Sequence, residues 1–260
     1  PARVLDLPLP DMPLRRAAYA PDIAALFDQP EPRARIVEEW LAVWEAQPGG
    51  PPPEARLGVP AILGLRHAAA TLAELQETLG CRVFEIPVLP PSVPGMRLFN
   101  ALRDELRAHK GELTLGPTVT GEVSRHGSAR VMATAHERTR RYAARAVLLA
   151  TGGFTHGGLE ADMDGAVRET VFGLDTVYEN RRTRWSGSKY LNPHAFARFG
   201  VRSDTHGRAL DATGAPVADN LWVCGGLLAG ADRPTEGSAA GIGLASAYAA
   251  VTDIISWLEA

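Results

Sequence analysis

At 260 residues the chain has room for one or two domains of roughly 150 residues and can bury a substantial core. Apolar residues at 45% and charged residues at 22% exclude wholesale disorder. The 27 Lys and Arg against 30 Asp and Glu leave a formal charge of −3, which excludes a basic field for nucleic acid or anionic lipid.

Two cysteines, Cys81 and Cys224, cannot build a disulfide framework and form no Cys-x-x-Cys pair, so a reducing, cytoplasmic setting is expected. Prolines interrupt the first twenty residues, and no signal-peptide core is read there. Residues 8–32 read as Pro-rich and irregular. A helix is predicted from Arg33 to Gln47, with Ile36, Val37, Trp40, Leu41 and Trp44 on one face. The Pro- and Gly-rich run from Gln47 to Pro53 stops it. A strand over Arg56–Leu65, a helix over Ala68–Leu79 closed by Gly80, and a strand over Arg82–Leu89 follow as an α/β layer.

Beyond Pro90, Pro91 and Pro94, Met96–His109 reads as a helix with Leu98, Leu102 and Leu106 inward and Arg97, Arg103, Asp104 and Arg107 outward. Strands are predicted at Thr118–Ser124, Ala129–Glu137 and Ala146–Ala150, separated by turns at Arg125–Gly127 and Arg138–Arg141. Residues 155–204 lack a clear period. Residues 221–230 read as a buried strand running into glycines. From Glu236 a helix of small residues follows; Gly237–Leu258 is long enough for a bilayer but lacks a basic flank, so a helix packed inside the protein is expected, with no membrane span.

Two glycine-rich strand exits carry the chemistry. An apolar strand ends in Thr151-Gly152-Gly153, and a second, Leu221–Cys224, ends in Gly225-Gly226 and leads to Thr235-Glu236-Gly237-Ser238 and a helix. Missing side chains let another molecule approach the backbone, and a helix start presents N–H groups and a positive dipole end. His156 follows the first turn, and Arg181, Arg182 and Arg184 gather guanidinium charge near Lys189. His194 and His206 read as residues of surface turns. His67, His109, His126 and His136 show no ligand spacing, and no metal site is read.

The order of helix, meander, Ala-Thr-Gly-Gly, Leu-Trp-Val-Cys-Gly-Gly and Glu-Gly-x-x-x-Gly resembles the flavoprotein family that includes the flavin subunits of succinate dehydrogenase and fumarate reductase. The string Val88-Leu-Pro-Pro-Ser-Val-Pro-Gly-Met-Arg-Leu98, with Phe172–Asp175, Phe199–Asp204 and Asn220–Gly230, is similar to the B-subunit family of anaerobic glycerol-3-phosphate dehydrogenases. The resemblance covers residues 82–258 well and 1–81 in outline.

It implies an α/β flavoprotein dinucleotide-binding fold with a β-meander and an additional α/β lobe. The expected parts are a lobe at 1–81, a flavin-domain helix and meander at 82–154, a cap segment at 155–205, and a closing strand and helix at 206–260. Cofactor contacts are implied at Thr151, Gly152, Gly153, Gly225, Gly226, Glu236, Gly237, Ser238, Gly241 and Ile242, with His156 and Arg182 as catalytic candidates. The implied cofactor is a flavin, FMN by resemblance and FAD as the alternative. The implied reaction oxidises glycerol 3-phosphate to dihydroxyacetone phosphate, with electrons passing to quinone through an iron–sulfur protein of the same complex. The implied partners are an A subunit that holds FAD and the substrate site and an iron–sulfur C subunit, which would hold a cytoplasmic protein peripheral to the inner membrane. A stand-alone reductase of the fumarate reductase type and a cofactor-free docking scaffold are the alternatives. No strand followed by Gly-x-Gly-x-x-Gly occurs, so the expected fold lacks its N-terminal Gly-rich strand–helix, reads as the C-terminal portion of a longer protein, and holds flavin weakly or not at all.

Overall fold

The computed structural model describes residues 3–9, 18–48, 52, 54–124, 127–189, 192–238 and 240–260. Parts of the expected breaks at 47–53 and 125–127, and the prolines at 10 and 13, lie outside the described residues. The chain divides into two compact units, Pro1–Leu113 and Thr114–Ala260.

In the first unit, helices α1 (Ala20–Phe27) and α2 (Pro30–Glu45) each carry proline in the first turn, where a missing N–H leaves no intrahelical bond unmade. The segment read as irregular thus contains a helix: the backbone N–H of Tyr19 donates to the Asp22 carboxylate at 2.9 Å and closes the first turn. Helix α2 buries Ile36, Val37, Trp40 and Trp44, the row its spacing predicted. Strands β1 (Arg56–Pro60) and β2 (Arg82–Ile86) pair in parallel, Leu57 opposite Val83. Helix α3 (Ala68–Leu79) makes the crossover that parallel pairing requires, and Gly80 ends it at φ 61°. Trp44 ties the two helices by donating to the Leu79 carbonyl at 3.0 Å.

Helix α4 (Val93–Ala108) starts at Ser92, whose hydroxyl accepts the Gly95 N–H. Its leucine row corrects the expectation. Leu98 and Leu102 are each 62% exposed and Leu106 is exposed too, whereas Arg97, expected outward, donates to both Glu85 oxygens and to the Gly64 carbonyl. A bidentate charged pair outcompetes the apolar row for the inner side of this helix.

The second unit opens with an antiparallel meander of β3 (Thr118–Val123), β4 (Ala129–Ala135) and β5 (Arg138–Tyr142). The polar stretch expected as a turn is therefore the third strand. The turn is His136-Glu137, both at positive φ (46° and 65°), and the arginines occupy an edge strand, where charge protects an open ladder. The strand expected at Ala146–Ala150, β6 (Val147–Leu149), instead pairs in parallel with a distant partner introduced below.

Between them lie the hairpin β7 (Leu159–Ala161) and β8 (Val167–Glu169), then a small sheet in which β10 (Gly200–Ser203) sits between β9 (Thr176–Val177) and β11 (Ala209–Leu210). Strand β12 (Leu221–Val223) is wholly buried and pairs with β6, Leu221 opposite Val147. Leu149, Leu159, Val201, Leu221, Val223 and Leu227 form the core. A one-turn helix α5 (Arg233–Glu236) precedes the long α6 (Gly241–Glu259).

Helix α6 packs through Ala250, through Trp257 against the buried Trp222 ring, and through Asp253, which accepts the Trp222 indole N–H at 2.9 Å. The expectation of a helix enclosed by protein is corrected: Leu244 (73%), Tyr248 (77%), Val251 and Ile255 form an exposed apolar row. By length and composition α6 is the one described helix long and apolar enough to cross a membrane.

Candidate functional site

Strands β6 and β12 run in parallel and leave their ladder at the same end, where the Cys224 N–H donates to the Leu149 carbonyl at 2.9 Å. The carboxyl end of parallel strands is where open α/β sheets bind ligands. Burial pushes the Cys224 thiol up, away from the thiolate.

The first exit is Thr151-Gly152-Gly153. Gly152 takes φ 74°, and a Cβ there would stand 2.8 Å from the His156 Cβ, so His156 lies against this turn. The His156 Nδ1 is 3.0 Å from the Thr155 hydroxyl. At Gly153 a Cβ would stand 3.3 Å from the Gly226 carbonyl oxygen, which brings the two glycine exits into contact. Gly225, at φ 70°, donates its N–H to the Ser246 hydroxyl at 2.9 Å, and a Cβ there would lie 4.0 Å from Gly243. The second exit is thereby fixed beside the first turn of α6.

Not every expected residue serves that contact. The Glu236 carboxylate accepts the Asp232 N–H and caps α5, and Gly237 ends α5 at φ 61°. The Gly241 N–H donates to the Ser238 carbonyl at 2.6 Å, and the Ile242 carbonyl accepts the Ser246 hydroxyl at 2.5 Å, which ties both to the start of α6. The Arg182 guanidinium donates to the Met163 carbonyl at 3.2 Å and stands 5.5 Å from the Trp185 ring centre. His194 corrects the surface-turn expectation, being partly buried with its Nδ1 accepting the Gly187 N–H at 2.9 Å.

Two hydroxyls matter for ligand fit. Thr151 Oγ1 and Ser238 Oγ are buried and have no hydrogen-bond partner among the described residues. A buried polar atom without a partner costs about 1–3 kcal/mol, so such atoms point to a missing one. Arg233 is the residue that sequence reasoning missed. A Cβ on Gly226 would stand 3.0 Å from its Nη2, and among the described residues its guanidinium has no hydrogen-bond or ion-pair partner. The signal was available, since Arg233 is the only Lys, Arg or His after Arg208. Side-chain-free backbone at Gly153 and Gly226, two unpaired hydroxyls and a helix start suit a flat heteroaromatic group with a polar edge, and so fit a flavin.

Residues 44–242 match the model of the FAD binding domain family. The probable anaerobic glycerol-3-phosphate dehydrogenase B subunit of Halobacterium salinarum is 35% identical over 198 residues, covering 76% of this chain and 46% of its own. The anaerobic glycerol-3-phosphate dehydrogenase B subunit of Vibrio vulnificus is 33% identical over 196 residues (74% and 44%), and that of Pectobacterium carotovorum 32% over 236 residues (91% and 53%). The chain spans about half the length of these curated relatives. No solved structure matches it. With most of its length matched and its glycine exits paired at one sheet end, the chain belongs to the FAD binding domain family of flavoproteins.

Proposed function

We propose that the chain is the flavin-bearing part of the B subunit of an anaerobic glycerol-3-phosphate dehydrogenase. The observation that carries this reading is the close approach of Gly153 to the Gly226 carbonyl, together with the buried hydroxyls of Thr151 and Ser238, which have no hydrogen-bond partner among the described residues. The relatives' names supply the substrate, glycerol 3-phosphate. In this reading it is oxidised to dihydroxyacetone phosphate, and electrons leave for quinone through an iron–sulfur C subunit, beside an FAD-bearing A subunit. These partners would hold the protein at the inner membrane.

Thr151, Gly152, Gly153, Gly225, Gly226, Ser238, Gly241 and Ile242 then surround the cofactor, with Glu236 and Gly237 shaping the turn before α6. FMN is our first choice and FAD the alternative. A bound flavin would take up the two electrons removed from the alcohol carbon and relay them within the complex. The chain's own residues do the rest. The Thr151 and Ser238 hydroxyls would hold the flavin's polar edge, and the N-terminus of α6 would favour negative charge there. His156, which lies beside Gly152, would face the flavin and serve there as the proton acceptor. Arg182 positions the cap through the Met163 carbonyl and Trp185. The segments 82–154 and 206–260 supply the flavin domain, 1–81 the extra lobe and 155–205 the cap. Without a Gly-x-Gly-x-x-Gly clamp, the affinity of this chain for flavin is expected to be weak.

Titration of the 260-residue protein into FMN and FAD, read by quenching of flavin fluorescence, tests this. Saturable quenching that weakens severalfold in both Thr151→Ala and Ser238→Ala is expected. Quenching that is linear, or equal in the wild type and both variants, overturns the placement.

A further inference from the structure

The two edges of the β3–β4–β5 meander differ. Along β3 the Gly121 N–H donates to the Val171 carbonyl at 2.7 Å, and the Phe172 ring fills the space that a Cβ at Gly121 would take. Along β5 no strand and no loop among the described residues bonds to the outer row. We propose that this bare edge, Arg138–Tyr142, takes up an extended acidic segment of a partner protein as an added strand.

The register fixes which backbone groups are free. His136 and Glu137 make a two-residue turn at positive φ, and Ala135 stands opposite Arg138. The pair that closes such a turn exchanges both of its backbone hydrogen bonds, and bonded and unbonded pairs alternate from there. The N–H and C=O of Arg138, Arg140 and Tyr142 therefore turn toward β4, and those of Thr139 and Arg141 turn outward. The Thr139 hydroxyl lies 3.0 Å from that of Thr134 directly opposite, as expected of an unbonded pair, in which side chains approach more closely. Outward amides and carbonyls at alternate residues are what an incoming strand pairs with.

Charge then selects the strand. Residues 129–145 hold five arginines and a single carboxylate, Glu137. Arg130, Arg138 and Arg141 are exposed, and among the described residues none of the three has a hydrogen-bond or ion-pair partner for its guanidinium. By alternation Arg138 lies on the sheet face of the buried Ala129, and Arg141 on the opposite face with Arg130. A strand beside β5 thus meets a guanidinium on each face. Two copies of this edge would set arginine against arginine, which disfavours self-pairing. A nucleic acid or an anionic headgroup would use the charge and leave the outward carbonyls unmatched. An extended acidic peptide uses both. The edge lies apart from the turns assigned to the flavin, and the proposal does not depend on that assignment.

Fluorescence anisotropy of the labelled peptide Thr-Glu-Val-Thr-Glu-Val-Thr, titrated with the 260-residue protein, tests this. Its glutamates have the spacing of Arg138 and Arg141. Saturable binding is expected, at least tenfold tighter than that of the same peptide with lysine in place of glutamate. Thr139→Pro removes an outward N–H and spares the bonds to β4, so it should weaken binding at least tenfold while the urea midpoint changes little. Arg138→Glu combined with Arg141→Glu should reverse the preference in favour of the lysine peptide, which a misfolded protein would not do, and this variant decides the matter if Thr139→Pro does not fold. No saturable binding by the wild type, or no reversal in the double variant, would overturn the proposal. Unchanged binding by a folded Thr139→Pro, or tighter binding of a single-stranded oligonucleotide or of phosphatidylglycerol vesicles than of the acidic peptide, would reduce the edge to a charged surface and overturn it as well.

Discussion

Asn220 and Ala129 exchange two hydrogen bonds across 91 residues of sequence: the Asn220 Oδ1 accepts the Ala129 N–H at 2.6 Å, and its Nδ2 donates to the Ala129 carbonyl at 3.3 Å. The same amide donates to the Ala144 carbonyl, and the Asn220 backbone carbonyl accepts the Val147 N–H at 2.8 Å. One buried side chain thus stands in for a strand and aligns the meander with the parallel pair that carries the glycine exits. Asn220→Ala would leave the Ala129 N–H and carbonyl buried and unpaired, and should destabilise the second unit by about 2–3 kcal/mol. A lowered urea midpoint checks this; an unchanged midpoint would mean that the junction is held elsewhere.

Gly153 offers a sharper probe of the site than Gly152. Its backbone (φ −91°, ψ −152°) is open to any residue, so a substitution there acts only through the Gly226 carbonyl 3.3 Å from the new Cβ. Gly152, at φ 74° and against His156, would strain its own turn and collide with that ring. Gly153→Val should therefore reduce flavin quenching at least tenfold while Gly153→Ala reduces it by less, with both proteins folded. Equal quenching in the valine variant would show that the spacing of the two exits does not matter to the ligand.

Local signals carried the reading furthest. The burial row of Ile36, Val37, Trp40 and Trp44, the Gly80 stop and both glycine exits were legible because each depends on neighbours within a few residues. What failed was non-local. Leu98, Leu102 and Leu106 announced an apolar face, but periodicity cannot name what covers it, and Arg97 found Glu85 instead. The pairing of Leu148 with Trp222 joins strands separated in the chain by β7 to β11, and no period in either strand encodes its partner. Strand β5 hid because Arg138, Arg140 and Arg141 look like a loop, whereas an edge strand tolerates charge.

Arg182 was expected to act on chemistry, and its contacts suggest a mechanical part. Its guanidinium holds the turn between β7 and β8 through the Met163 carbonyl and faces the Trp185 ring, a contact worth about 0.5–1 kcal/mol at an exposed position. Arg182→Lys keeps the charge and loses the flat face. Both Arg182→Lys and Arg182→Ala should lower stability by about 1 kcal/mol or less, within the usual range of surface substitutions. Activity with an artificial electron acceptor should fall more in the alanine than in the lysine variant; equal activity in all three proteins would confine Arg182 to holding the turn between β7 and β8.

The first unit should respond to acid through two carboxylates. Burial pushes Asp28 up, but the amides of His67, Arg66 and Leu65 outweigh it together and hold the carboxyl below its ordinary range. Burial likewise pushes Glu85 up, and its bonds from Arg97 and the Leu63 amide bring it down. A carboxylate lowered by folding contributes stability that is complete above the unfolded value, about 4, and is lost as pH falls through that value toward the folded one. The urea midpoint of the first unit, followed by amide exchange over residues 56–86, should therefore drop steeply below about pH 4 in the wild type. The double variant Asp28→Asn, Glu85→Gln should be less stable at pH 7 but flatter between about pH 5 and pH 3. The same slope in both proteins would place the acid sensitivity on other groups.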